Sequence, residues 1–481
     1  MRLQIPLYIQ DTIKAFIRSG HELHLVGGSV RDMLLGLPAK DWDFATSATP
    51  EEILKLFPDA FYDNNFGTVG IPIKNLPYSS LSAEERDLRV IPEEGETNKP
   101  QTQIVEVTTY RTEQTYTDRR HPESVSWGKT IDEDLMRRDF TVNAIAIEAT
   151  SLESESPTII DPYGGQEDLE KKIIRAVGNP AERFKEDALR LLRAVRFATQ
   201  LGFGIDVKTL EAIISDSGLL AEISGERIRD ELLKILASPY PYEGVMLLKN
   251  TGLLAYCLPE LLEGIGVSQE RPGRHHKDDV FTHNVLSLKY TPAADPIVRF
   301  AALIHDVGKP RVAAEDADGY VIFHNHELIG ARMAYEIADR LRLSKKQRQK
   351  IVTLVRWHMF TVDEHITDSA VRRFIRRVGI DNVKDMMDLR IGDRLGGGTQ
   401  TAESWRLKLF KKRVEEQLAP APFSINDLAI DGNDIMQELN LPPSKKIGDI
   451  LQTLFDEVDE DLSKNTKEYL LKRLHEMELA K

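Results

Sequence analysis

The chain has little cysteine, no net positive charge and no long apolar run. One cysteine, Cys257, stands among 481 residues. An internal disulfide is therefore excluded, and cysteine usage points to a reducing cytoplasm. No apolar run approaches the length of a membrane span. The amphipathic start IPLYIQDTIKAFIRSG, closed by Gly20, does not read as a signal peptide. The formal net charge of −14 argues against a general polyanion binder. A chain of this charge that grips RNA has to concentrate its basic residues locally. Concentrations of that kind are present: Arg119-Arg120-His121, Arg137-Arg138, the Arg190/Arg193/Arg196 series, and the stretch from Arg372 to Lys384. With 29% charged and 41% hydrophobic residues, the composition is that of a globular protein with room for roughly two to four domains.

What is present centres on Leu25 to Thr46, LVGGSVRDMLLGLPAKDWDFAT. A short apolar run ends in Gly27-Gly28. A helix pattern follows, with Val30, Met33, Leu34 and Leu35 on its apolar side and Gly36 as its stop. Asp41-Trp42-Asp43 then opens a strand. Alternation puts Asp41 and Asp43 on one face, where two carboxylates repel unless a cation lies between them. A hard ion such as Mg²⁺ suits that place. Gly27-Gly28 leaves room for a triphosphate at a helix start, and Arg31, one turn in, can add a charge-assisted contact. A lone D-x-D is ordinarily a solvated strand end. The Gly-Gly turn, Arg-Asp and Leu-Gly before it reverse those odds.

Thr49-Pro50-Glu51-Glu52 is a helix start. FYDNNFGTVGIPI alternates as a strand hairpin. Asn75 to Gln103, broken by three prolines, reads as a loop insertion. Ile104 to Arg111 is a strand bearing Glu106, which either faces solvent or joins the acidic pair. Thr112 to Lys129 is polar and turn-like. In DEDLMRRDFTVNAIAIE, Arg137 and Arg138 precede an apolar segment that must pack on the sheet. Beyond the Leu152 to Pro157 linker the pattern is helical to the end. Asp161 caps a helix that holds Asp168.

Phe184 to Ala198, FKEDALRLLRAVRFA, reads as one helix. On it Glu186, Asp187, Arg190 and Arg193 fall within about 120° of one another. Cytosine and adenine both present an amino donor beside a ring-nitrogen acceptor; uracil and guanine present the reverse order. An Asp acceptor beside an Arg donor can therefore read C and A without a template strand. An ordinary i,i+3 salt bridge is the other reading of the pair.

These motifs, with DPYGGQEDL and SGERIRDEL (Ser224 to Leu232), resemble the class II tRNA nucleotidyltransferases over about Leu25 to Leu261. The resemblance implies a metal-dependent head in which Asp41 and Asp43 hold catalytic Mg²⁺, with Glu106 as a third carboxylate. It implies that Gly28, Arg31, Arg137 and Arg138 contact the nucleotide. Glu186, Asp187 and Arg190 would be template residues, with Arg193 and Arg196 following. Arg111 to Lys129 matches the family's flexible loop, which counts against a CC-only enzyme. The implied reaction is CCA addition to a tRNA 3′ end from CTP and ATP, by in-line attack of the 3′-hydroxyl with loss of pyrophosphate. A-adding enzymes and bacterial poly(A) polymerases share most of these motifs and stay open as alternatives.

Further on, His283 lies in DDVFTHNVL, His305-Asp306 follows FAALI, His324 and His326 flank Asn325, His358 lies in VRWHM, and Asp393 in IGDRLGG. Imidazoles and carboxylates on successive helices suit a divalent metal. The series resembles the HD phosphohydrolases. His283, His305, Asp306 and Asp393 match the core ligands, and His326 and His358 the pair found in two-metal members. A chain that is mainly an HD hydrolase with an RNA-binding head is the alternative from another class. Gly432 and Lys445-Lys446 mark a helix–turn–helix in the tail, where Lys445 and Lys446 could approach phosphate. The expected architecture is α+β: a small mixed-sheet nucleotidyltransferase head (1–150), an all-α neck that selects nucleotide and binds RNA (151–262), an HD body (263–400) and a helical tail (401–481). No membrane partner is expected, and the sequence sets no oligomeric state.

Overall fold

The computed structural model of the chain describes residues 5–37, 42–62, 67–73, 103–112, 127–270, 278–418 and 424–479. Asp41, Arg119-Arg120-His121, most of the Arg111 to Lys129 loop and the Asn75 to Gln103 insertion up to its last residue lie outside the described residues. The chain divides into two compact units, Met1–Cys257 and Leu258–Lys481. Among the described residues, no helix is long and apolar enough to cross a membrane.

The first unit is built on one mixed sheet of seven strands: β1 (Leu23–Val26), β2 (Asp43–Thr46), β3 (Phe61–Tyr62), β4 (Thr68–Ile73), β5 (Gln103–Thr109), β6 (Ala146–Glu148) and β7 (Ile159–Ile160), in the order β3-β4-β5-β2-β1-β6-β7. The apolar run before Gly27 becomes β1, buried along its whole length, between antiparallel β2 and β6. β2 runs parallel to β5, with Asp43 opposite Glu106. In the described part of FYDNNFGTVGIPI, β3 and β4 pair antiparallel. Thr49 forms a capping box with Glu52, and Pro50 follows at the first turn of the helix Pro50–Leu56, which satisfies amide donors that have no partner inside a helix.

The segment beyond the linker is not purely helical. β7 pairs with β6, so the sheet runs past residue 157, and Ile173–Ile174 pairs with Gly204–Ile205. Two adjacent isoleucines carry no helical period, so these short strands form where a neighbouring backbone accepts them. The helices Pro180–Glu186, Leu189–Leu201, Val207–Asp216, Gly225–Ala237 and Pro241–Asn250 complete this unit.

Phe184 to Ala198 is two helices, not one. The first ends at Glu186, and Asp187 is extended (φ −144°, ψ 103°). Its Oδ1 accepts from the Leu189 amide at 3.1 Å. A short acidic side chain bonds the nearby backbone as readily as a helix does, so it favours a cap over a helix interior.

Among its described residues the second unit is mostly helical, with one small hairpin, Ala314–Glu315 with Val321–Ile322, and an isolated bridge between Ser268 and Asp279. Val280–Tyr290 packs on Val383–Gly396 at a distance that only glycine permits. A Cβ on Gly392 would run into the Thr291 hydroxyl and the Ser287 carbonyl. Likewise a Cβ on Gly308 would meet the His326 carbonyl and the Gly330 amide. These approaches bring His283 to Asp393 and Asp306 to His326. The tail forms the expected helix–turn–helix, Gly432–Leu439 and Lys445–Glu460, on a core that includes Ile435, Leu454 and Val458. Buried Asp459, in its acidic run, is gripped by Arg372 and Arg376 at 2.6 Å each. Those two arginines of the basic stretch therefore hold the fold.

Candidate functional site

A cavity of about 550 Å³ opens in the first unit. Its lining includes eight arginines (31, 111, 137, 138, 190, 193, 196, 227) against three aspartates (43, 139, 187). That local excess of positive charge, in a chain of net −14, suits a polyphosphate.

The floor follows from the Gly27 turn. Gly27 has φ +72°, and a Cβ there would stand 3.0 Å from Arg138 Nη1 and 3.8 Å from Asp43 Oδ2. Only glycine combines that backbone with so close an approach. Gly28 lies beside it in the lining. Asp43 shares a sheet face with Glu106, its register partner on parallel β5; Glu106 is exposed. Arg31 donates to Asn143 Oδ1 at 2.9 Å and to Asp32 Oδ1 at 2.8 Å.

Arg137 and Arg138 are aimed by one buried carboxylate. Asp134 receives Arg137 Nη2 at 2.5 Å and Arg138 Nη2 at 3.0 Å. Burial alone would raise the Asp134 pKa; the two guanidinium groups outweigh it and hold it at about 2. Asp139 behaves alike. Its burial is outweighed by Arg193 and the Asn143 amide, which hold it at about 2, with Arg193 Nε at 2.6 Å. The Phe197 ring lies under the guanidinium groups of Arg196, Arg193 and Arg31, at 4.2, 5.3 and 5.4 Å.

Asp187 and Arg190 both line this cavity, each held by a third residue. Asp187 Oδ2 accepts from Arg227 Nη2 at 2.8 Å. Arg190 bonds Glu186 Oε2 at 2.5 Å and the Arg137 carbonyl at 2.9 Å. Glu186 also receives Arg183 at 2.9 Å. Arg196 pairs with buried Glu231 at 3.1 Å. The fold thus brings together Gly28, Arg31, Asp43, Arg137, Arg138, Asp187, Arg190, Arg193 and Arg196, with Glu186 behind Arg190. Asp41 lies outside the described residues. Asp134, Asn143, Phe197 and Arg227 join the site unannounced by the sequence reading. Three of them lie inside or beside RRDFTVNA and SGERIRDEL, but their partners, up to 112 residues away, leave no trace in local spacing.

The second unit holds a buried centre. His283 Nε2 is 3.2 Å from His305 Nε2, and 3.3 Å from both Asp306 Oδ2 and Asp393 Oδ1. His326 Nε2 is 3.3 Å from His358 Nε2, and both face Asp306 Oδ1, at 3.3 and 3.4 Å. Two groups of ligand atoms result: His283, His305 and Asp393, and Asp306, His326 and His358. Asp306 offers one oxygen to each. The Nδ1 atoms of His305, His326 and His358 point at the carbonyls of Ala302, Phe323 and Val355, at 2.8, 2.8 and 2.7 Å. Those carbonyls fix the proton on Nδ1 and turn unprotonated Nε2 atoms inward. Lone pairs facing one another at such distances are repulsive unless cations lie between them, so the donor set fits two divalent ions. Burial would raise Asp306 and Asp393; the surrounding cations and imidazoles outweigh it and keep both carboxyls well below their usual range. Lys309 Nζ, 2.5 Å from Asp306 Oδ2, supplies part of that charge. His324 is exposed and outside both groups.

Comparison with known proteins gives three family matches along the chain. Residues 23–175 match the family described as "Poly A polymerase head domain". Residues 202–264 match "Probable RNA and SrmB- binding site of polymerase A", and residues 282–395 match "HD domain". A CCA-adding enzyme of Geobacillus thermodenitrificans is 45% identical over 252 residues, 52% of this chain and 54% of that protein. The chain thus spans about half the length of such relatives. Coverage is longer with an A-adding tRNA nucleotidyltransferase of Deinococcus radiodurans, 36% identical over 67% of this chain and 74% of the relative. A CCA-adding enzyme of Anoxybacillus flavithermus is 34% identical over 75% and 74%. Among solved structures, the Bacillus stearothermophilus CCA-adding enzyme in complex with CTP aligns with a TM-score of 0.66, 25% identity and 99% coverage of both chains. On this agreement of sequence, fold and domain order, the chain belongs to the family of tRNA nucleotidyltransferases and poly(A) polymerases and carries an HD domain in its second half.

Proposed function

We propose that this chain adds CCA to the 3′ end of tRNA from CTP and ATP, without a template, in the cytoplasm. The observation that carries the proposal is that Asp187 and Arg190 line the same cavity as Asp43. A carboxylate acceptor and a guanidinium donor thereby lie in the cavity that also holds an acidic residue of the D-x-D pair. Arg31, Arg137 and Arg138 bind the triphosphate, their directions fixed by Asn143 and Asp134. Asp187 and Arg190 read the pairing edge of C or A, and the base takes the place of Arg227 on Asp187. Mg²⁺ held by Asp41, Asp43 and Glu106 would supply activation of the tRNA 3′-hydroxyl and neutralisation of the departing pyrophosphate. The neck and the tail lysines Lys445 and Lys446 bind tRNA, and no membrane is involved. Incubating tRNA that lacks its 3′ end with each nucleoside triphosphate, and sequencing what is added, tests this. Addition of C, C and A supports it; long A tails would contradict it.

A second reading, A addition alone, rests on the A-adding relative, 36% identical over 67% of this chain. It predicts extension only of tRNA already ending in CC.

The histidine–aspartate centre is proposed as a metal-dependent phosphohydrolase, supported by the sharing of Asp306 between two ligand groups. Hydrolysis of a nucleoside 2′,3′-cyclic phosphate on addition of Mn²⁺, Ni²⁺ or Mg²⁺ is expected. A purified chain that binds none of these ions and hydrolyses nothing defeats that part.

A further inference from the structure

A second cavity, of about 400 Å³, lies within the second unit. Two of its lining residues, Glu327 and Met359, directly follow the ligand candidates His326 and His358. One wall is aromatic: Phe360 packs on Phe374 and Phe410, with centroids 4.7 and 5.4 Å away. Arg356, Arg373 and Arg377 contribute three guanidinium groups.

These cations differ from their neighbours on the same helix. Four arginines lie on Asp368–Val378 at helical spacing. Arg372 and Arg376 share one stripe, both closed by Asp459. Arg373 and Arg377 share the next stripe, and among the described residues neither has a carboxylate within ion-pair distance. Arg377 lies over the Trp357 ring at 4.9 Å, and Arg356 over the same ring at 4.2 Å. Arg356 also has Glu327 at 3.6 Å. A cation–π contact orients a guanidinium without cancelling its charge, so its N–H fork stays available to an oxyanion.

We infer that this cavity is the subsite for the nucleoside and the distal phosphate of the ester handled at the histidine–aspartate centre. The inference rests on the phosphohydrolase reading of that centre. The reacting phosphate has its own binding groups there. An aromatic wall and two open arginines next to it are more than a lone phosphate ester needs. They fit a ring that stacks on Phe360 and a second phosphate taken by the Arg373/Arg377 fork. The ligand class is a nucleoside with one phosphate at its 2′/3′ edge and another at its 5′ side. Both a free nucleoside bisphosphate and the last residue of an RNA have that chemistry.

The test compares the full-length metal-free chain with its Arg373→Ala/Arg377→Ala variant, with excess CTP present to fill the head cavity. The probes are adenosine 3′,5′-bisphosphate, a short RNA ending in a 3′-phosphate, and adenosine 3′-monophosphate. Binding is followed by tryptophan fluorescence, with Trp357→Phe as the control for signal from this cavity. At least one of the first two probes should bind the variant about tenfold more weakly or worse, and the monophosphate should change by less than about twofold. A response to RNA alone identifies an RNA end; an equal response to the bisphosphate identifies a free nucleotide. Phe360→Leu, which removes the ring and stays apolar, should weaken the same probes. Equal affinity of parent and arginine variant for both double-phosphate probes overturns the inference. Hydrolysis is assayed separately with Mn²⁺. Arginine-dependent binding without hydrolysis counts against the phosphohydrolase reading and not against the cavity as a nucleotide site. Hydrolysis that ignores the arginines counts against the subsite alone.

Discussion

Asp187 Oδ2 and Arg227 Nη2 are 2.8 Å apart, across 40 residues of sequence. Arg190, three residues from Asp187 in the chain, turns instead to Glu186 and the Arg137 carbonyl. The two groups proposed to read a base are thus held by other partners. The pair is half-buried, with side-chain exposures of 30% and 26%, so a base with the right acceptor and donor order can compete for it. Arg227→Ala should remove the donor that the base has to displace and lower KM for both CTP and ATP by about threefold, with C and A still preferred over U and G. Steady-state incorporation of each triphosphate measures this. A change confined to one nucleotide would contradict it.

Asp43 lies on the floor beside Gly27, and its register partner Glu106 shares its sheet face. Asp43→Ala should lower nucleotide addition at least about 100-fold, the scale of a lost metal contact. Hydrolysis by the second unit should be unchanged, since its ligand groups are built wholly from residues 283–393. Glu106→Ala should cost less than Asp43→Ala if Glu106 only supports the pair.

The head site is held by long-range pairing, and that is where the sequence was least legible. The Gly-Gly turn, the β1 run and the Thr49 cap follow from local chemistry and occur as read, and the D-x-D strand occurs from Asp43 on, with Trp42 outside it. The histidine–aspartate centre was legible for another reason: buried imidazoles in such number need common ligands, and each motif declares its residue type. Asp134, Asn143 and Arg227 were not legible, because an ion pair closed through the fold leaves no spacing to detect. The break at Asp187 was missed because the apolar period runs through it. The bonds of the Asp187 carboxylate to the Leu189 amide and to Arg227 hold that break.

Acid should loosen the first unit over a defined range. Asp134 and Asp139 are held at about 2 in the folded protein, below the unfolded value of about 3.9. Their stabilisation is fully present above about pH 4 and is lost as pH falls through about 2. Each contributes on the order of 2 kcal/mol. Thermal midpoints between pH 5 and pH 2 should fall less steeply for Asp134→Asn, which already lacks one of these terms. An identical slope in parent and variant would contradict the assignment.

Asp306 belongs to one ligand group and turns its other oxygen to the histidines of the second, so its loss should outweigh that of any single histidine. The parent chain should take up to two Mn²⁺ ions per molecule by elemental analysis. Saturating Mn²⁺ should raise its stability by about 3 kcal/mol at 100 times Kd. Asp306→Asn should abolish both effects, while His365→Ala, on an exposed residue, should change neither. Retention of two ions by Asp306→Asn would exclude a shared carboxylate.

The most direct test is single-turnover incorporation of all four nucleoside triphosphates, by the parent and by Asp187→Arg/Arg190→Asp, into tRNA lacking its 3′ end. Exchanging acceptor and donor should collapse the preference for C and A and raise U and G relative to them. If the variant ranks the four nucleotides as the parent does, these side chains do not choose the base.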